Sequence, residues 1–448
     1  MKAFCCFISF FWVPWCHAQG FFTLTEDKPL SFKFEMVHHL VLAPVTINGI
    51  EFCFLMDTGV KETILFAKTE DSLYLHNQQK VRFHGIGMEE GVEGIISNGN
   101  IVNVAGVAVD SFHRLYVVQG EDMDISSRVG VGINGILGAR FFNSFPVKVD
   151  YIRSRFTIYP PGYDYSSVVR KYQEIPIELQ NDRPYMEGKV QVADEWIGGK
   201  MLLDMGNTDA FMLFAFLLPE LKVREPYVEE YIGQGFNGPI YGKRNRIRKV
   251  SLHGIEFNYP IVAYPDSNSA YVARFSSGRI GSIGNQSLQC FHLLMDYKNK
   301  QLYLRKNRQF GRPFLLNMAG FGVKHDGLIW TKEMSNVPAT TSESIGFRVE
   351  DMGIPLSRVN DHFQYKFALK PIYKIEGVRK DSPAEQAGVK DGDTLLRVNG
   401  SQTGNLTLTK ILSKFHTKPG DEVRLLLQRG DEKIRVRFHL LDPVPYKH

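Results

Sequence analysis

Two apolar runs of similar make-up, Phe54-Leu55-Met56 and Met201-Leu202-Leu203, each lead into an acid with a glycine two residues on: Asp57-Thr58-Gly59 and Asp204-Met205-Gly206. An unbroken apolar run bounded by a turn signal predicts a short strand buried on both faces. It also puts a carboxylate at the strand's tip, against a tight turn. The surroundings repeat as well. Ile101-Val102-Asn103-Val104 and Arg248-Lys249-Val250-Ser251-Leu252 read as strands, Gly106 and Gly254 follow as turns, and Val107-Ala108-Val109 and Ile255-Glu256-Phe257 resume as strands. Gly85-Ile86-Gly87 and Gly233-Gln234-Gly235 begin 28 and 29 residues after the respective Asp. Gly135-Ile136-Leu137-Gly138 leads to Asp150-Tyr151, and Gly281-Ser282-Ile283-Gly284 leads to Asp296-Tyr297, with 15 residues from first glycine to Asp in both. Landmarks in one order and one register, twice over, predict two homologous β-rich lobes of about 140 residues each. We place them at 28–165 and 172–306.

Beyond Leu304 the pattern changes. Arg305 to Pro313 is polar and holds turn residues, so 307–314 is expected to be a linker. Further on, Ser382 or Asp381 can cap a short helix that has Pro383 at its first position and ends at Gly388. Asp391-Gly392-Asp393 turns into a strand over 394–398, and Asn399-Gly400 is a hairpin signal. The spacing predicts an amphipathic helix over 406–415, then alternating strands over 423–428 and 433–440. These elements define a third, α/β domain, placed at 315–442.

The N-terminus carries a targeting pattern: Lys2, an apolar stretch from Ala3 to Trp15, and Cys16-His17-Ala18 with small residues where a signal peptidase reads. Residues 1–18 are therefore expected to be a signal peptide, with the mature chain exported to the periplasm or beyond the cell. No later run is long and apolar enough for a membrane helix, so no stable membrane span is expected. Of the five Cys, Cys53 and Cys290 would remain. They stand at non-equivalent places in the two lobes, which favours two buried free thiols, although spacing alone leaves a bridge open. The balance of 53 basic and 48 acidic residues, net +5, is too even to imply a nucleic-acid partner. The densest basic run, Lys243 to Lys249, reads as a solvated strand edge or hairpin, with binding of substrate or envelope also open.

Two carboxylates brought face to face cannot both ionise readily. They share a proton, so that one can act as base toward a water while the other acts as acid. Such chemistry needs no metal and no cofactor, and none is expected. The sequence holds no Gly-x-Ser-x-Gly, His-Glu-x-x-His or phosphate loop to support another hydrolase chemistry. At this point the chain resembles a known family. Asp57-Thr58-Gly59-Val60-Lys61-Glu62-Thr63-Ile64-Leu65 is similar to the Asp-Thr-Gly-Ala-Asp-Asp-Thr-Val-Leu segment of retroviral aspartic proteases, and Ile136-Leu137-Gly138 resembles their apolar-apolar-Gly motif, whose strand packs beneath the Asp loop. As in pepsin-like enzymes, one chain supplies both halves, over about residues 30 to 305.

The resemblance implies a mainly β fold of two retropepsin-like β-barrel lobes with a cleft between them. Asp57 and Asp204 would be its catalytic pair, and Thr58, Gly59, Met205 and Gly206 its active-site loops. Gly85, Gly87, Gly233 and Gly235 would lie in or near flap hairpins, although plain hairpin turns account for them equally well. The chain departs from the family at Met205, where a Thr or Ser hydroxyl would bond the opposite loop, and at Lys61, which replaces an acid and is expected to pair with Glu62 or substrate or to lie on the surface. The C-terminal segment resembles a PDZ domain of the bacterial envelope type, through Ser382-Pro383-Ala384 and Ala387-Gly388-Val389-Lys390-Asp391-Gly392-Asp393. That implies a groove for a peptide with a free C-terminus. Gly320-Phe321-Gly322-Val323 is the candidate carboxylate loop, with Ile345-Gly346-Phe347 as an alternative, the helix near 409–414 is the other wall, and about forty residues near 331–370 are inserted. The expected function is hydrolysis of peptide or protein substrates, with a further peptide partner at the PDZ domain. The competing expectation is an inactive, protease-derived peptide-binding protein.

Overall fold

The computed structural model describes residues 21–67, 73–83, 92–119, 125–192, 195–235, 238–267, 277–336 and 363–446. The expected signal peptide lies outside them. The chain is mainly β and divides into two compact units. The first holds both lobes, up to Phe314. The second is Leu315–His448 with two stretches taken from within the lobes, Asp124–Gly132 and Arg224–Tyr231.

In the first lobe, Leu40–Ile47 and Ile50–Met56 form a hairpin around Asn48-Gly49, both at positive φ as a two-residue turn requires. The Asp57 strand, Ile50–Met56, runs parallel to Gly135–Leu137, which pairs with Ile64–Ala67. That strand pairs in turn with Ala108–Gln119, which pairs with Val92–Val104, and Val92–Val104 returns to Leu40–Ile47. Six strands thus close a barrel and leave no open edge within the ring. The second lobe repeats the ring: Arg183–Val192, Glu195–Asp204, Arg279–Gly284, Phe211–Leu213, Ile261–Pro265, then Gly238–Arg246 continuing as Lys249–Leu252, which pairs back with Arg183–Val192. Its sixth strand is broken at Ile247-Arg248. The expected turn at Gly254 is the two-residue turn His253-Gly254, both at positive φ.

A six-stranded sheet joins the lobes. Its two middle strands, Val147–Asp150 and Phe291–Asp296, are the repeated segments that end in Asp-Tyr, and they pair antiparallel. Outward on one side lie Arg155–Ile158 and Leu30–Lys33, and on the other Gln301–Lys306 and Gln173–Pro176. The sheet is therefore two copies of one three-stranded piece related by a twofold between its middle strands.

Several expectations need correction. The basic run is solvated only in part: Arg248 is exposed and Lys249 pairs with Glu256 at 2.8 Å on the surface, but Arg244 is buried and donates to both oxygens of Asp209 at 2.8 and 2.9 Å. At Arg244 the forked bonds to a carboxylate offset the cost of burying a guanidinium. The stretch 307–314 packs on the first unit through Phe310 and Phe314 against Phe257, at 5.4 and 6.1 Å between ring centroids. Both thiols are free, but Cys53 is partly exposed while Cys290 is buried. Among the described residues no helix is long and apolar enough to cross a membrane.

The second unit has a sheet ordered Gly322–Asn336, Phe363–Glu376, Thr394–Val398, Glu422–Arg429, Glu432–His439. Its core gathers Phe321, Tyr373, Leu395, Leu408, Phe415 and Leu427. Ser382 caps the helix Pro383–Gln386 by accepting from the Glu385 N–H, and Gly388 follows at φ +88°. The helix expected over 406–415 is shorter. Thr407 caps Leu408–Leu412 by accepting from the Lys410 N–H, and the chain tightens to a 3₁₀ turn over Ser413–Phe415. The inserted residues extend Gly322–Asn336 and Phe363–Glu376 into a long ribbon, with Asp326-Gly327 bulged between paired residues His325 and Leu328.

Candidate active site

Each Asp stands where a buried strand ends in a loop, and the later glycine motif fixes that loop from below. The Asp57 N–H donates to Leu137 O at 3.0 Å. A Cβ on Gly138 would strike the carbonyls of Val60, Lys61 and Glu62, and one on Gly284 would strike those of Asn207 and Asp209. Only glycine lets those strands run so close under the Asp loops.

The loops meet across the lobes. A Cβ on Gly59 would lie 2.7 Å from Asp204 Oδ1, and one on Gly206 would collide with the Asp57 carboxylate. The two carboxyl groups therefore lie near each other, each against the glycine of the opposite loop, and the Asp204 charge acts on Asp57. Thr58, wholly buried, donates to Leu203 O at 2.7 Å and accepts from the Met205 N–H at 3.0 Å. Met205 is equally buried but has no hydroxyl with which to return the pair. One half of a reciprocal lock is present, and packing replaces the other.

Burial pushes the Asp57 carboxyl up to about 7, and the Asp204 charge adds to the rise. The N–H groups of Gly59 and Gly206 oppose it, Gly59 donating to Asp57 Oδ1 at 2.7 Å. Burial also raises Asp204, but the Arg279 guanidinium and the N–H groups of Asn207 and Gly206 pull against it. The Asn207 N–H donates to Asp204 Oδ1 at 3.1 Å. Burial and the neighbouring charge thus favour a protonated Asp57, while the Arg279 charge favours the ionised form of Asp204.

Sequence reasoning missed Arg279. It lies in a strand buried at every position, donates to Gly281 O and Ser282 Oγ at 3.2 and 2.8 Å, and stacks 4.9 Å from the Phe214 ring centroid. The signal was a lone cation inside an apolar strand. Tyr297 was read only as a landmark, yet it is buried and feels the Asp57 charge, which with its burial raises its hydroxyl.

Lys61 lies on the surface, where its Nζ stands 3.0 Å from Asp182 Oδ2 of the second lobe and also feels the Glu62 charge. Gly85 and Gly87 lie outside the described residues. Gly233 and Gly235 fall inside the strand Tyr227–Gly235, which pairs with Gly238–Arg246. A Cβ on Gly233 would meet nothing within 4 Å, so close packing does not require glycine there.

In the second unit, Gly320 stands at φ +93° and a Cβ there would strike Ser382, so both conformation and space demand glycine. Phe321 and Val323 enter the core, and Gly322 begins the end strand of the sheet. The alternative loop Ile345-Gly346-Phe347 lies outside the described residues.

Residues 43–141 match the aspartyl protease family, and residues 374–429 match the PDZ domain family. The chain therefore carries an aspartyl protease domain in its first lobe and a PDZ domain near its C-terminal end. The second lobe lies beyond the first match but has the same strand ring. No curated protein matches the chain.

Proposed function

We propose that the protein is an aspartic-type endopeptidase in which Asp57 and Asp204 activate water. The observation that carries this reading is the close approach of two carboxyls on matching loops, Asp57 buried and Asp204 half-buried, each set against the glycine of the opposite loop. Asp204, the ionised member, takes a proton from a water lying between them. The water oxygen attacks the peptide carbonyl carbon as Asp57 gives its proton to the carbonyl oxygen. The resulting gem-diol returns a proton to Asp57 and collapses, the C–N bond breaks, and Asp204 passes its proton to the leaving nitrogen. The substrate is an extended peptide or protein segment, and the PDZ domain serves a protein partner. Export by the N-terminal segment belongs to the same proposal.

One observation favours a second reading, a peptide-binding protein without catalysis: Met205 removes half of the bonds that would hold the loops together. The two are separated by incubating mature protein with a diverse peptide library from pH 4 to 8, beside Asp57→Asn and Asp204→Asn. Cleavage that either substitution abolishes is the expected result. Retained peptide binding without cleavage at any pH supports the second reading.

A further inference from the structure

Gly322–Asn336 is the end strand of its sheet, with Phe363–Glu376 as its neighbour. The helix Leu408–Leu412 packs beside it. A strand edge facing a helix is the groove in which a PDZ domain takes an extended peptide as an added strand. In this chain the five-residue helix Ile125–Val129 packs on that strand. Gly130, which ends the helix, lies against the groove's other wall: a Cβ there would stand 2.8 Å from Leu408 Cβ.

The second stretch in this unit, Arg224–Tyr231, brings a carboxylate to the candidate carboxylate loop. Glu230 Oε2 lies 3.2 Å from Arg379 Nη1. Arg379 is itself tied to the loop, donating from Nη2 to Asn317 O at 2.6 Å and from its backbone N–H to Gly320 O at 2.7 Å. Arg128 joins the two stretches. Its guanidinium lies 4.0 Å from the Tyr231 ring centroid, and Nη1 lies 2.5 Å from Glu376 Oε1. Of the five helix residues only Val129 is buried. The stretches meet the PDZ body through charge, ring stacking and one buried apolar side chain, and Tyr227–Tyr231 is also paired as a strand with Gly238–Arg246.

We propose that residues 125–132 and 224–231 are an internal ligand of the PDZ groove, displaced by a peptide that ends in an apolar residue with a free α-carboxylate. The charge on Glu230 occupies the place of the terminal carboxylate, and the short helix occupies the groove. An external peptide replaces both with one extended strand that can pair along the edge. Tyr227–Tyr231 continues in the same strand to Gly235, so its release acts on the candidate flap glycines through the chain itself. This last step rests on the peptidase reading; the occupancy of the groove does not.

The test uses the full chain carrying Asp57→Asn, so that no peptide is cut. A library of peptides with free C-termini, varied at the last four positions, is titrated against this protein and against the same protein with Arg128→Ala and Glu230→Gln. An amidated copy of the library is the control. We expect at least tenfold tighter binding by the opened variant and loss of binding on amidation. We also expect a bound peptide to speed hydrogen exchange in residues 125–132 and 227–231 of the parent. Equal affinity of the two forms, indifference to amidation, or no binding by the opened variant overturns the proposal. If circular dichroism shows the double variant unfolded, Arg128→Ala alone replaces it, at a side chain 31% exposed. Failure of the hydrolysis assay leaves this result untouched.

Discussion

At the scale of single residues, the site is built by close approach, and the approach is set by which side chains are small or hydroxylated. Thr58 carries two bonds that cross between the Asp loops, to Leu203 O and from the Met205 N–H. Thr58→Val keeps the shape and leaves both backbone groups buried without partners. We expect a loss of about 2–4 kcal/mol in urea unfolding, and a fall in cleavage rate larger than the change in KM. The Asp repeat was legible in the sequence because a strand tip and its glycine are adjacent residues. The asymmetry at Met205 was legible for the same reason. Arg279 was not, because its effect on Asp204 comes from a fold contact between residues far apart in sequence, and no local pattern carries that.

At the scale of elements, a buried polar chain pins the Asp57 loop to its barrel. Thr63, just beyond that loop, lies 2.8 Å from His113 Nε2 in Ala108–Gln119, and His113 Nδ1 lies 2.7 Å from Asp110 Oδ2. Burial holds His113 below its usual range, outweighing the pull of Asp110, so the ring is neutral at pH 7. Nδ1–H then donates to Asp110, and Nε2 accepts from the Thr63 hydroxyl. The unfolded chain takes up this proton first. Stability is therefore whole above about pH 6.5 and falls below it by up to about 1.4 kcal/mol per pH unit, until the folded ring titrates. The raised Asp57 and Asp204 act in the opposite direction, because the folded state holds their protons more tightly and gains stability as the pH falls, from about 7 downward for Asp57. The contribution of His113 is thus read as a difference. Between pH 7.5 and 5.5, urea midpoints of wild type should fall relative to those of His113→Gln; parallel curves would contradict a buried neutral ring. Helix lengths were less legible. Thr407 starts the helix two residues later than apolar spacing suggests, because its hydroxyl caps there, and the chain tightens to 3₁₀ over Ser413–Phe415.

At the scale of the whole chain, the duplication was legible because both halves kept their landmarks in register, and the joining sheet shows why. Val147–Asp150 and Phe291–Asp296 must pair with each other, so their spacing from the Asp loops could not drift independently. The composition of the second unit was not legible. Residues 124–132 and 224–231 lie inside the two lobes by sequence, and only packing assigns them to the PDZ body. Because one chain supplies both carboxyls, cleavage per mole of protein should not change on dilution from micromolar to nanomolar. A steep loss would mean that the site is assembled from two copies. The central claim is that the two carboxyls share a proton, and it is tested most directly by carbon-13 titration of the Asp57 and Asp204 carboxyls, each assigned by its Asn variant. We predict a coupled pair that keeps one proton until about pH 7. Two independent titrations near pH 4 would contradict it.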